Sequence, residues 1–139
     1  MVGFPYDDLT RWRSCYPEDV FAEQFRKVSD GWGAAMPILE EVKKELLPEE
    51  QELFREIETM ATGAYCHLYS ADLQIRFVRC RESGDLAGMR DAAAKELENT
   101  KRLYELVRED SRIGFESSNH YYYTLNDLLE KIVNCESFL

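Results

Sequence analysis

A regular apolar pattern runs through PEDVFAEQFRKVSDGWGAAMPILEEVKKEL, from Pro17 to Leu46, and indicates the fold class. Pro17 is well placed for the first turn of a helix. After it, apolar residues recur in alternating steps of four and three, the spacing of one helix face. They are Phe21, Phe25, Val28, Trp32, Ala35, Leu39, Val42 and Leu46. The spacing predicts one long amphipathic helix whose apolar stripe faces the core.

The weak point of this helix is the segment DGWGAAMP, from Asp30 to Pro37. Gly31 and Gly33 lower the helix propensity, and Pro37 removes a hydrogen-bond donor and crowds the carbonyl group of Gly33. The sequence therefore predicts a kink here.

A second stripe begins after the break at Leu47-Pro48. Glu49 and Glu50 place negative charge at the start of the new helix, where the helix dipole favours it. This helix should end near Gly84, a residue suited to a C-terminal cap. Its stripe consists of Leu53, Ile57, Met60, Ala64, Leu68, Ala71, Ile75 and Val78.

Two further helices follow. Asp85 is placed to cap a third helix that ends near Glu109, and Thr124 to cap a shorter fourth helix together with Asp127. The third stripe is Leu86, Met89, Ala93, Leu97, Thr100, Tyr104 and Val107, and the fourth is Leu125, Leu128, Leu129, Ile132 and Val133.

These patterns predict an all-α fold, an antiparallel bundle of three long helices plus a shorter C-terminal helix. A chain of 139 residues, 45% hydrophobic, is expected to form a single domain with a real core. Residues 1–16 are expected to form an irregular lead-in or a short helix.

The charge balance limits the partners. The formal net charge of −10 opposes binding to nucleic acid and to anionic membranes, and no run of eighteen apolar residues occurs. The four cysteines show no CxxC spacing, which predicts buried free thiols rather than a zinc or redox site; they are Cys15, Cys66, Cys80 and Cys135.

Neither histidine has the spacing of a di-iron ligand, since a glutamate three residues earlier is missing before both His67 and His120. His67 is interpreted as a surface or boundary residue. Asp110 and Glu116 are the acidic groups of the irregular segment, and a compact bundle offers them no evident cleft. We therefore predict no catalytic residue, no metal and no cofactor in this chain.

The segment DSRIGFESSNHYYYT, from Asp110 to Thr124, joins the third and fourth helices and is rich in polar and aromatic groups. Such groups suit either a structural connection or a ligand site, and we favour the structural interpretation. Three consecutive tyrosines cannot all face one core, so at least one ring should face outward. The candidate structural or interface residues are Arg112, Glu116, Asn119, His120, Tyr121, Tyr122 and Tyr123.

Four stretches carry a family resemblance: Tyr16–Trp32, Gln74–Arg81, Asp110–Thr124 and Leu128–Leu139. Together they resemble the helical C-terminal region of large, multi-domain bacterial proteins of glycoside-hydrolase type, with SRIGFE-x-SNHYYY as the specific part. In such proteins this region follows a (β/α)8 catalytic barrel. The resemblance implies that the catalytic carboxylates lie in a domain outside this chain. Because no barrel precedes the helices here, the chain is expected to be either a piece of a larger protein or a free-standing relative.

The expected function is therefore a non-catalytic accessory domain of a carbohydrate-active enzyme. Its partner would be the parent catalytic domain or a second subunit, and it would meet carbohydrate only through the parent. The alternative is a self-contained helical scaffold that binds a protein partner or forms a homodimer. A third, less favoured interpretation is an independent small enzyme or metal protein. The residues do not indicate a cellular compartment.

Overall fold

A computed structural model describes the backbone of residues 7–116 and 121–139 and the side chains of residues 7–114 and 123–139. The fold is all-α, with three long helices and a shorter C-terminal one, as predicted. The helices are α1 (Leu9–Trp12), α2 (Glu18–Glu45), α3 (Gln51–Ser83), α4 (Leu86–Glu109) and α5 (Leu125–Glu136). A 3₁₀ turn (Ser111–Gly114) and two antiparallel two-residue strands, β1 (Phe115–Glu116) and β2 (Tyr121–Tyr122), lie between α4 and α5.

The helix ends form where the sequence predicts them. Gly84 adopts a left-handed conformation with φ of 75° and closes α3. The carboxylate of Asp85 accepts the backbone N–H of Gly88 at 2.9 Å and caps α4. Thr124 and Asp127 form a reciprocal capping box at the start of α5. These local signals satisfy the backbone groups that each helix end leaves without partners.

Part of the lead-in is helical, because α1 forms one helical turn within it. The carboxylate of Asp8 accepts the backbone N–H of Arg11 at 3.2 Å and caps this turn. Leu9, in α1, is only 1% exposed. α1 is therefore part of the core.

α2 continues without interruption through Gly31, Gly33 and Pro37. Gly33 lies close to α3, since a Cβ atom at this position would stand 3.4 Å from the ring of Tyr65. The small residues therefore allow close approach of two helices and do not end α2. The kink stays a prediction.

α3 and α4 form the centre of the molecule. α2 packs along α3 in the antiparallel direction, as the ion pair between Lys43 and Glu58 and the one between Glu18 and Arg79 show. α5 packs on α4. Two apolar clusters result: Leu9, Ala22, Ile75 and Val78 at the α1 end, and Cys66, Leu103, Val107 and Leu128 near α5.

The predicted stripes of α2 and α3 face the core at one end of the molecule only. Phe21 and Phe25 pack against the first cluster together with Trp12. Val42 of α2, by contrast, is 41% exposed, and Leu53 of α3 is 71% exposed. The prediction of a continuous core face is wrong for these exposed residues. α2 and α3 contact each other through positions next to the stripes, such as Gly33 and Tyr65, and not through the stripes themselves.

The cysteine prediction is correct for Cys66, which is fully buried, and burial raises its pKa to about 11. It is wrong for Cys15, which is exposed, because the turn after α1 lies outside both clusters. Cys80 and Cys135 are half-buried. Among the described residues, no helix is long and apolar enough to cross a membrane.

Candidate functional site

The connection between α4 and α5 is held against the end of α4. Tyr123 donates its backbone N–H to the carbonyl oxygen of Gly114 at 2.7 Å. Gly114 is buried, and a Cβ atom there would stand 2.5 Å from the carbonyl oxygen of Tyr123. The φ of Gly114 is not positive. The glycine is required because two backbone segments approach closely.

Arg112 ties this connection to α3. Its guanidinium donates to both carboxylate oxygens of Glu56 at 3.0 Å, and its Nε donates to Asp110 at 2.8 Å. The hydrogen bonds from Arg112 lower the pKa of Asp110. Arg112 thus joins the connection to α3 through these hydrogen bonds.

Removing this tie should have little effect on stability. The side chains of Arg112 and Glu56 are 69% and 57% exposed, and water screens ion pairs of this kind. We expect Arg112→Ala to lower the melting temperature by no more than about 2 °C in a thermal scan. A loss of more than about 8 °C would show that the connection depends on this side chain.

Tyr123 and His67 form a pair between the connection and α3. The Tyr123 hydroxyl lies 2.8 Å from Nδ1 of His67, and the two rings stack with centroids 4.8 Å apart. Tyr123 is 43% exposed. Burial lowers the pKa of His67, and the positive charge of Lys131 lowers it further. His67 is thus the boundary residue that the sequence indicates, and Tyr123 presents one edge to solvent.

Asn119 and His120 lie outside the described residues. Only the backbone is described for Glu116, Tyr121 and Tyr122, as part of the short strand pair. Their predicted role as structural or interface residues stays a prediction.

The sequence analysis missed a polar cluster between α3, α4 and α5. Ser70 donates its hydroxyl hydrogen to Glu96 at 2.5 Å, and the Lys131 ammonium donates to Ser70 at 2.8 Å and contacts Glu96. The residues come from three helices, so no local motif links them. A glutamate at position 96, which falls on the core side of α4 next to Ala92 and Ala93, is the one signal that the sequence offered.

This cluster is arranged as a structural tie. The Ser70 hydroxyl donates to the Glu96 carboxylate, and the Lys131 ammonium donates to Ser70 and pairs with Glu96. The arrangement joins α5 to the α3–α4 pair. Within residues 7–114 and 123–139, no group of three or more histidine, cysteine or acidic side chains is placed to hold a metal ion.

An apolar surface runs along the α2–α3 pair and is not part of the core. Five of its residues are large and 41–71% exposed, namely Val28, Val42, Leu53, Ile57 and Met60. Five others are half-buried, namely Trp32, Ala35, Leu39, Ala64 and Leu68. We call these ten residues the open apolar face. None of the ten is charged.

Helix geometry places the ten residues on one side of the pair. Gly33 of α2 faces Tyr65 of α3, and Lys43 of α2 faces Glu58 of α3. The residues of the open apolar face include those one position earlier in each case: Trp32, Ala64, Val42 and Ile57. Successive residues of a helix point about 100° apart. Because the two helices are antiparallel, the residues one position before each of these contacts point toward the same side of the helix pair.

α4 lies on the opposite side of this pair. Cys66, one position after Tyr65, accepts a hydrogen bond from Asn99 of α4 at 2.9 Å. Ser70 bonds Glu96 of α4 on the same side. The open apolar face therefore points away from α4 and from the core, which explains its exposure.

The same side of the pair is covered at its other end. There the stripes of α2 and α3 continue as Phe21, Phe25, Ile75 and Val78, and α1 packs over them with Leu9 and Trp12. The rings of Trp12 and Phe21 lie 5.2 Å apart, edge to face. One continuous apolar side is thus covered by α1 at one end and exposed at the other.

Comparisons with protein-family models, with curated proteins and with solved structures gave no match.

Proposed function

We propose that this chain is a non-catalytic helical domain that docks onto another protein surface through the open apolar face. The observation that carries the proposal is the exposure of Val28, Val42, Leu53, Ile57 and Met60 on one side of a well-packed helix pair. Apolar patches larger than a few hundred Å² are rare on monomeric proteins and mark interaction sites.

The size of the face supports this proposal. Five large side chains that are about half exposed, with the adjoining Ile38 and Leu47 at 63% and 56%, present on the order of 700 Å². At about 25 cal/mol per Å², covering such an area would contribute on the order of 15 kcal/mol before the costs of association. This is a large driving force for a partner with a matching surface.

The accessory role expected from the sequence resemblance is one form of this proposal. In that form the occupant is a catalytic domain of the same polypeptide, and the face is an interface between domains. A reading frame that encodes a barrel upstream of this chain would support that form, and a stop codon directly upstream would remove it.

Site-specific photo-crosslinking tests the proposal. A crosslinking amino acid is placed at Met60, 65% exposed, or at Leu86, 70% exposed, and each variant is irradiated in the cells that make the protein. We expect a crosslinked product from position 60 and none from position 86, which lies at the start of α4 away from the face. Equal yields at the two positions, or no product at position 60, would contradict docking through this face.

A further inference from the structure

We propose that the occupant of the open apolar face is a second copy of this chain, and that two copies form a symmetric four-helix interface. This inference rests on the proposed function and names its partner. The contributing positions are spaced as such an interface needs: 28, 32, 35, 39 and 42 in α2, and 53, 57, 60, 64 and 68 in α3. Steps of four and three let side chains of one helix pair fit between those of another.

The area agrees with a stable dimer. The face together with the adjoining Ile38 and Leu47, on the order of 700 Å² on each copy, gives about 1,400 Å² in total, which lies within the range of specific protein interfaces. The half-buried Trp32, Leu39 and Leu68 add to this area. Trp32 supplies a large ring, a residue type that is enriched in the cores of interfaces.

The two ends of the face define how the copies meet. The α2–α3 turn bounds the face at one end, and α1 rises above the helix pair at the other. Between Val28 and Leu47 the open length is about 28 Å at 1.5 Å per residue. A twofold axis through the middle of this length puts the turn of each copy next to α1 of the other. α1 therefore limits how far the second copy can slide along the helix pair, which fixes the register. Each copy then covers the whole open length of the other's face.

Charge distinguishes this occupant from a basic partner. Each copy carries a net charge of −10, but none of the ten residues of the face is charged. Two copies therefore repel each other through groups at the edge and beyond it, and added salt should strengthen their association by screening this repulsion. A basic partner would be attracted by the same acidic groups, so salt would weaken its binding.

Sedimentation velocity of the full chain tests the inference. From about 1 to 500 µM, we expect the mass to rise from the monomer value of 16.3 kDa to twice that value. Met60→Asp should weaken association by about 100-fold or more, because the interface would bury an unpaired charge. Leu86→Asp is the matched control and should dimerise like the parent chain. The melting temperature of the parent should rise with concentration, and that of Met60→Asp should not.

The outcomes separate this inference from the proposed function. A chain that stays monomeric throughout, or a Met60→Asp variant that dimerises like the parent, overturns the second copy as occupant. If the crosslink from position 60 then contains a different protein, or joins position 60 to another part of the same polypeptide, docking through the face still stands. If no crosslink forms either, both proposals fail.

Discussion

Truncating Leu103 to alanine is expected to cost about 2 to 5 kcal/mol of unfolding free energy, which is a large part of the stability of a domain this size. Leu103 is 6% exposed and lies in the central helix α4, in the cluster with Cys66, Val107 and Leu128. The substitution removes its apolar contacts and leaves a cavity that α3 and α5 cannot both close. The melting temperature should fall by roughly 10 °C.

Leu86→Ala is the matched control, because it makes the same change in the same helix at a side chain that is 70% exposed. Its effect in a urea titration should stay within about 0.5 kcal/mol. Equal losses from the two substitutions would mean that α4 is not the centre of the core. Both titrations should be run at low protein concentration, so that dimer formation does not add to the measured stability.

The second large effect is expected at Gly114. An alanine Cβ there would stand 2.5 Å from the carbonyl oxygen of Tyr123, a backbone atom that cannot rotate away. The connection must therefore shift, and we expect Gly114→Ala to destabilise the fold by about 1 to 3 kcal/mol. Hydrogen exchange gives a local reading, because the Tyr123 amide that donates to Gly114 should lose protection.

Gly31→Ala makes the same glycine-to-alanine change, but it should have the opposite effect on stability. A Cβ atom at Gly31 meets nothing within 4 Å, and the residue lies inside α2. Alanine should therefore stabilise this helix by about 0.5 to 1 kcal/mol. If Gly114→Ala were as stabilising as Gly31→Ala, the close approach of the two backbone segments would be wrong.

Neither proposal uses the aromatic connection between α4 and α5 as the binding surface. Arg112 and Tyr123 join the connection to Glu56 and His67 of α3. These contacts tie the connection to α3, while the open apolar face lies on the side of the α2–α3 pair that points away from α4. The predicted interface role of the connection can be tested separately from that face, with a crosslinker at Tyr123 in place of Met60.

Local sequence signals determined much of this protein. The helix ends are set by local capping residues, namely Gly84, Asp85, Thr124 and Asp127. Each interacts within a few residues of its own position, so its effect does not depend on the packing of distant elements. The apolar period likewise determined that α2, α3 and α4 are long helices, since that period follows from the helix itself.

The tertiary structure alone decided what each apolar stripe faces. Ile57 and Ile75 belong to the same stripe of α3, yet Ile57 is 54% exposed and Ile75 is 1% exposed. The difference arises because α1, a single turn about 65 residues before Ile75 in the chain, covers one end of the stripe and not the other. The cluster of Ser70, Glu96 and Lys131 was likewise not predictable from the sequence, because its residues come from three different helices. A helical period shows that a side chain lies on an apolar face, but only the packing of distant elements decides whether that face is core or open surface.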